Sequence, residues 1–274
     1  MTADTVSSAA STTDAPRRGS TLRRFWALVR GETTVLLRNR TAVFTAVALP
    51  FLVGVAFFGM SQDGAGLGVV LTMVLVGTAL MFVIYYTMVT SLVGRREQLV
   101  LKRLLAGEPS APEILWAPAV PLWVLFGVQS LIAIGGALLL GTPIVHPWAL
   151  LLALVGGAAA WTALAIVSAA YTRTVESAQL TTLPLILISL LLSGFSVPLE
   201  WLPGPVARIA HVLPMTPVVD LVRLAMTGVG TDGQLLAGAD AVRAAAGGML
   251  LPLLIWTVAS VALGLRRFRW DPRS

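Results

Sequence analysis

The amino-acid sequence is poor in charged residues and contains no cysteine. Only 12% of its 274 residues are charged, against about 25% in soluble domains, and 57% are hydrophobic. A soluble fold of this size cannot bury so much apolar surface, so lipid must be the solvent for much of the chain. The lack of cysteine excludes disulfides, thiolate metal sites and a cysteine nucleophile.

Motifs for nucleotide binding and hydrolysis are also missing. The pattern G-x-x-x-x-G-K-[ST] does not occur, because the only lysine, Lys102, follows Leu101. Neither G-x-S-x-G nor H-E-x-x-H is present, and both histidines, His146 and His211, fall in predicted outer loops. No basic run is interleaved with stacking aromatics, so the net charge of +6 indicates basic loops facing anionic lipid rather than nucleic-acid binding.

Six long apolar stretches are present. A helix that crosses about 30 Å of hydrocarbon needs roughly 20 apolar residues. The stretches cover residues 41–60, 67–93, 114–140, 148–171, 178–198 and 244–265, and none contains Asp, Glu, Lys, Arg or His. A charge at the centre of a span costs about 2.5–3.5 kcal/mol, so these stretches predict six transmembrane helices. We therefore expect an all-α polytopic membrane protein with a transmembrane domain over residues 41–265.

The basic residues predict the orientation of the spans. Most of the nineteen precede the first span or follow the second, fourth or sixth. The exceptions are Arg208, Arg223 and Arg243. Because basic residues favour the cytoplasmic side, both termini are predicted to be cytoplasmic (N-in/C-in). Residues 1–20, rich in Ser, Thr and Ala, are expected to form a disordered cytosolic tail, and residues 266–274 a basic one.

Residues 21–40 have the pattern of an amphipathic helix. Their apolar side chains recur at helical spacing within an arc of about 120°. These side chains are Leu22, Phe25, Trp26, Val29, Leu36 and Leu37, and the residues off this stripe include Arg23, Arg24, Arg30 and Arg38. The segment is predicted to lie on the inner membrane surface, either as a plain anchor or as an element that transmits force to the first span.

A charged segment, GRREQLVLKRLLAGEPSAPE, follows the second span at residues 94–113. Its pattern predicts a short helix across the base of two spans, ended by Gly107 and Pro109. The charged residues are Arg95, Arg96, Glu97, Lys102 and Arg103, and the apolar ones among them are Leu99, Val100, Leu104 and Leu105. The segment is either a hairpin linker or a docking surface; the leucines favour a docking surface, because a linker has no need to present them.

The long outer segment at residues 200–243 is broken by prolines. Its apolar residues keep a helical rhythm, which predicts two short external helices before the last span that partly enter the bilayer. The prolines are Pro203, Pro205, Pro214 and Pro217. His211 has no second ligand at a metal-like spacing, which favours an interfacial residue over a metal ligand.

Polar residues within the spans are candidates for lining a pathway. They include Thr72, Tyr85, Tyr86, Gln129, Thr181 and Ser189. Such groups either contact a substrate or bond to neighbouring helices, at about 0.6 kcal/mol each. Because no ionisable residue lies in a predicted span, a proton- or sodium-coupling site is missing and a separate energising partner is expected. The same absence favours an amphiphilic or hydrophobic cargo.

In its order of segments the chain resembles the membrane subunit of a type-2 ATP-binding cassette transporter, a bacterial exporter permease family that includes drug- and antibiotic-efflux subunits. The resemblance covers about residues 21–269. It rests on the amphipathic first helix, the six spans, the basic RREQLVLKRLLAGEPSAPEIL segment and the proline-punctuated LPGPVARIAHVLPMTPVVDLVRLAMTG segment.

The resemblance implies a role for each of these segments. The stretch from Arg95 to Leu105 is expected to be the coupling helix, which receives motion from an ATPase subunit. Its implied residues are Arg95, Arg96, Glu97, Leu99, Lys102, Arg103 and Leu104. The implied connecting-helix residues are Phe25, Trp26, Val29, Arg30 and Leu36. The implied external-cap residues are Pro203, Arg208, His211, Pro214, Pro217, Asp220 and Arg223.

The resemblance also implies partners and a location. Two permease chains, expected to be a homodimer, would work with two P-loop ATPase subunits in the bacterial plasma membrane. ATP and Mg²⁺ would bind to the partner, and this chain would hold no cofactor and no metal and be no enzyme by itself. The alternatives are a secondary carrier that works without an ATPase and a membrane scaffold that transports nothing.

Overall fold

The computed structural model describes residues 21–38, 44, 47–48, 50–52, 66–194, 199–268 and 270–271. Within these ranges the chain is helical apart from its connections and one isolated β-bridge between Val229 and Leu235. The helices are α1 (Thr21–Arg38), α2 (Leu67–Glu97), α3 (Val100–Leu105), α4 (Ala111–Leu139), α5 (Pro147–Tyr171), α6 (Val175–Leu192), α7 (Gly204–Val212), α8 (Thr216–Thr227) and α9 (Ala239–Arg267).

Five of these helices are long and apolar enough to cross a membrane, namely α2, α4, α5, α6 and α9. They correspond to the second to sixth predicted spans, and they confirm the all-α class with several membrane-spanning helices. Of the predicted first span, at 41–60, only residues 44, 47–48 and 50–52 are among the described residues. The predicted tail at 1–20 and the end of the fifth span at 195–198 lie outside them as well.

Helices α2 and α5 form the centre of the bundle. Most of the apolar part of α2 is buried, whereas α6 and α9 expose most of theirs. On α5, Trp161 is fully buried and its ring meets Tyr85 of α2 edge to face, with 5.4 Å between ring centroids. Gly157 lets α5 approach closely, since a Cβ there would lie 3.0 Å from Leu80 and 3.1 Å from Val218. The small residues on α5 therefore serve packing within the chain.

The middle of α2 is wider than an α-helix. Residues Leu80–Tyr86 form a π-helix, and just after it the Thr87 hydroxyl donates a 2.9 Å hydrogen bond to the Phe82 carbonyl, five residues back. The sequence gives no sign of this segment, because an almost uniformly apolar run has no periodicity that separates α from π geometry. Its consequence is that Tyr85 and Tyr86 project from a locally widened turn.

The outer segment folds as two helices, α7 and α8, with a bend of 84° between them. Most of α8 is buried against α5, α9 and α2, and α7 is largely exposed. The Trp256 indole of α9 donates a 2.7 Å hydrogen bond to the Val212 carbonyl at the end of α7. The bent pair has the length and composition of a broken span or re-entrant segment.

Candidate functional site

Helix α1 packs mainly against α4, through a continuous stripe of its own side chains. The side chains that are buried or half-buried are Arg24, Phe25, Leu28, Val29, Glu32, Thr33 and Leu36, a helical i, i+3, i+4 pattern. The sequence predicts a partly different stripe, and three of its members are exposed: Leu22 (66%), Trp26 (53%) and Leu37 (66%). The two stripes differ because the predicted one contains only apolar residues, whereas the observed one includes the buried Glu32.

Glu32 is buried because it has a charged partner. The Arg95 guanidinium at the end of α2 donates to Glu32 Oε1, and the side chains are only 15% and 9% exposed. Arg24 lies 3.6 Å from Glu108, which follows α3. A charge this well shielded is stable only when paired. The Glu32–Arg95 pair therefore fastens α1 to the hairpin formed by residues 94–113 after the second span.

The hairpin differs from the single helix that the sequence predicts for its charged residues. Arg95, Arg96 and Glu97 belong to the last turn of α2, and α3 begins only at Val100. Between them Leu99 has a left-handed backbone, with φ of 59°. This sharp turn breaks the helix, because a left-handed residue cannot continue it.

Helix α3 presents a mixed surface. Leu101 is fully buried and anchors it, whereas Leu99 and Leu105 are 39% and 37% exposed. Lys102 and Arg103 are exposed, and Lys102 Nζ lies 2.6 Å from Asp271 Oδ1 near the C-terminal end. Leu104 is half-buried and lines a groove beside α1. Exposed leucines next to basic side chains give a surface suited to a protein partner.

The groove between α1 and α3 has a volume of about 560 Å³. Both charged pairs stand in its wall, together with apolar side chains from each helix. The residues lining it are Arg24, Ala27, Leu28, Gly31, Glu32, Val35, Arg95, Gln98, Val100, Leu104, Glu108 and Pro109. Arg30 of α1 is exposed. The predicted connecting and coupling segments are thus brought together at one end of the bundle.

Arg96 is not part of this surface, and its predicted place there needs correction. Its side chain is fully buried. Nη1 donates a 2.8 Å hydrogen bond to the Ala169 carbonyl, and Nη2 donates to the Thr172 carbonyl and, at 3.2 Å, to the Arg173 carbonyl. These acceptors lie in the last turn of α5 and in the turn that follows it before α6. Burial follows because the carbonyls at a helix C-terminus need donors and favour a cation.

The predicted external-cap residues divide between surface and interior. Pro203, Arg208 and His211 on or before α7 are exposed. Pro214, Pro217 and Asp220 are buried at or within α8, and Arg223 is half-buried. Arg223 Nη1 lies 3.9 Å from Asp220 Oδ1, and its Nη2 donates a 3.4 Å hydrogen bond to the Gly194 carbonyl after α6. In the part of the chain that is described, no group of three His, Asp or Glu side chains is placed to hold a metal ion.

The predicted pathway residues are mostly inside the bundle. Thr72, Tyr85, Gln129 and Ser189 are buried, Tyr86 is half-buried and Thr181 is exposed. The Thr72 and Thr181 hydroxyls donate 2.8 Å hydrogen bonds to carbonyls four residues earlier in their own helices. Tyr85 bonds to Ser168 of α5. Of these six, only Tyr86 and Thr181 reach the surface of this chain, and the pathway role stays a prediction.

The family model for the ABC-2 type transporter matches residues 23–227, which include most of α1, the hairpin and both outer helices. No curated protein matches the chain. The matched region is well over half of the sequence and contains the predicted connecting, coupling and outer segments on which the resemblance rests. The chain therefore belongs to the ABC-2 type transporter family, as the membrane-spanning permease of such a transporter.

Proposed function

We propose that this chain is the permease subunit of an ATP-driven exporter in a bacterial plasma membrane. Two copies would form the pathway, and a P-loop ATPase subunit would bind to each copy at the cytoplasmic side. ATP and Mg²⁺ would bind only to the ATPase. The cargo would be an amphiphilic or hydrophobic molecule, moved outward.

The observation that supports this proposal most is the surface formed by α1 and α3. The exposed Leu99 and Leu105 flank the basic residues Lys102 and Arg103. The groove beside α1 is lined by Val100 and Leu104 of α3. An apolar interface core surrounded by a polar rim is typical of specific protein partners. Charges at its rim would speed association and select an acidic partner surface.

The same geometry suggests how the partner's energy would reach the membrane. Helix α3 joins α2 through the short turn at Gln98 and Leu99, so a displacement of α3 must move the end of the second span. ATP can drive this change only by binding better to one conformation of the complex than to the other. The ATPase would supply that difference in affinity, since the chain has no phosphate-binding loop.

The cargo class follows from the apolar character of the spans. Away from their ends, the five described spans carry no charged side chain. A wide apolar face of α6 is exposed, and we assign it to the second copy or to lipid. Its residues are Leu180, Leu183, Leu187, Ile188 and Leu191. A pathway lined by uncharged side chains of these spans offers no counter-charge to an ionic substrate and suits an amphiphile.

A pull-down in mild detergent, followed by mass spectrometry, tests the proposal. Wild-type chain should co-purify with a P-loop ATPase. The double variant Arg103→Glu/Leu105→Asp should lose the ATPase while remaining monodisperse. The matched double variant Arg243→Glu/Leu235→Asp changes exposed residues of the same kinds at the opposite end of the bundle, and it should retain the ATPase. Wild-type chain that brings down no ATPase would contradict the proposal and favour a secondary carrier or a scaffold.

A further inference from the structure

Arg96 joins two parts of the bundle that are far apart in the sequence. It lies one residue before the end of α2, and its three acceptor carbonyls belong to Ala169, Thr172 and Arg173 at the junction of α5 and α6. Helix α5 ends at Tyr171, so the carbonyl of Ala169 lacks the partner that a continuing helix would supply. The guanidinium satisfies several acceptors at once from a fixed, planar set of donors.

The connection that Arg96 makes between α2 and the α5–α6 turn is stiff. Arg96 is fully buried, so water cannot replace the carbonyls if they separate. Its positive charge also faces the negative end of the α5 dipole. Helices α2 and α6 also approach closely here, since a Cβ at Gly94 of α2 would lie only 3.3 Å from the side chain of Val175, the first residue of α6. The end of α2 therefore moves together with the α5–α6 turn.

The adjacent arginine binds in another direction. Successive residues of a helix point about 100° apart. Arg95 pairs with Glu32 of α1, whereas Arg96 holds the α5–α6 turn. The last turn of α2 is thereby connected to α1 on one side and to the fourth and fifth spans on the other. Helix α3 follows after only two residues, so this turn is the point where any motion of α3 enters the bundle.

We propose that Arg96 is a positioning residue that transmits the displacement of α3 to the α5–α6 turn, and that it takes no part in holding the ATPase. This inference rests on the proposed function and deepens it. Docking and transmission are separate tasks here, performed by exposed residues of α3 and by one buried residue of α2. Removal of Arg96 should leave the ATPase bound but disconnect the fourth and fifth spans from it.

The experiment uses the purified complex of this chain with the ATPase that co-purifies with it. The chain has no cysteine, so single introduced cysteines can be labelled cleanly with an environment-sensitive bimane fluorophore. One reporter is Ala106→Cys after α3, and the other is Gln179→Cys on α6; both positions are exposed. The fluorescence change on adding MgATP and orthovanadate is recorded for wild type, Arg96→Gln and Arg96→Lys. Arg243→Gln, an exposed arginine at the far end, is the control.

We expect the fluorescence response to be lost at only one of the two reporters. Arg96→Gln should retain the ATPase and the response at residue 106 but lose the response at residue 179. Arg96→Lys should restore part of it, because an ammonium group keeps the charge and can still donate to carbonyls. Arg243→Gln should respond as wild type. If Arg96→Gln does not fold, Arg96→Lys tests the proposal by itself. The proposal then predicts a reduced response at residue 179 and an unchanged response at residue 106.

Two results would overturn the inference while leaving the proposed function intact. In one, both reporters of the folded Arg96 variant respond as in wild type, so that Arg96 transmits nothing. In the other, the ATPase is lost, so that Arg96 acts in docking. Failure of the proposed function looks different, because then the wild-type chain itself co-purifies with no ATPase or shows no response at residue 106.

Discussion

Tyr85 in the second span and Ser168 in the fourth share a hydrogen bond of 2.8 Å between their hydroxyl oxygens. Tyr85 is also packed edge to face on Trp161 and is 1% exposed. The sequence leaves two roles open for this tyrosine, as a pathway residue or as a bond between helices. The observed geometry favours a bond between helices within one chain.

Loss of this hydrogen bond should cost little but should be measurable as a coupled effect. Tyr85→Phe and Ser168→Ala should each lower the free energy of unfolding in mixed micelles by about 0.6 kcal/mol, a typical value for such bonds in membranes. The double variant should lose no more than either single one, because the same bond is removed. Additive losses would show that the two hydroxyls do not interact.

Separation of Glu32 from Arg95 should destabilise the attachment of α1. Because both side chains are largely shielded from solvent, Glu32→Gln should cost up to about 3 kcal/mol in the free energy of unfolding. The charge swap Glu32→Arg/Arg95→Glu should recover part of the loss. Asp240→Asn, which removes an exposed pair with Arg243, is the control and should change nothing measurable. Equal effects of the two neutralisations would contradict the structural role of the Glu32 pair.

A side chain at Gly157 should disturb the contact of α5 with α2 and α8. The Cβ of Gly157→Ala would lie 3.0 Å from Leu80 and 3.1 Å from Val218, so the neighbours must shift. We expect a loss of about 1 kcal/mol in thermal or denaturant unfolding, the lower end of overpacking costs. Gly247→Ala on α9 meets no atom within 4 Å and should be neutral or slightly stabilising. A stable Gly157→Ala variant would indicate looser packing than the structure has.

The N-in/C-in orientation predicts opposite accessibility for two exposed leucines. When the chain is expressed without its ATPase, Leu105→Cys after the second span should react with a membrane-impermeant maleimide only once the cells are permeabilised. Leu235→Cys, between α8 and α9, is 74% exposed and should react in intact cells. The cysteine-free parent chain provides the background. Labelling of Leu105→Cys in intact cells would reverse the predicted topology, which rests on the distribution of basic residues.

The sequence predicts the elements better than their contacts. The apolar stretches locate the five described spans, and the helical rhythm locates α1, α7 and α8, because burial in lipid or at an interface requires these patterns whatever the packing. The π-helix at Leu80–Tyr86 and the left-handed turn at Leu99 have no comparable signal. Both are local distortions within or next to apolar runs, and neighbouring helices decide them.

Charged residues show the limit of the sequence most clearly. In the sequence, Glu32 is a polar interruption of the apolar pattern of α1, and Arg95 and Arg96 are two equivalent members of a basic cluster. In the structure Glu32 belongs to the buried stripe, Arg95 is its partner, and Arg96 faces the end of another helix. Whether a charge is exposed or buried depends on the partner that it meets, and these partners lie 63 to 77 residues away.

By itself the sequence determined that lipid surrounds much of this protein, its helical class, the approximate limits of the five apolar spans that the structure describes, and the lack of a nucleotide-binding loop in the sequence. Composition and periodicity are sufficient for these, since each depends on residues close together in the chain. Only the tertiary structure decided that α1 and α3 share one groove, that α8 is buried, and that two adjacent arginines bind different parts of the bundle. Those outcomes depend on which distant backbone carbonyls and carboxylates packing brings within hydrogen-bonding reach.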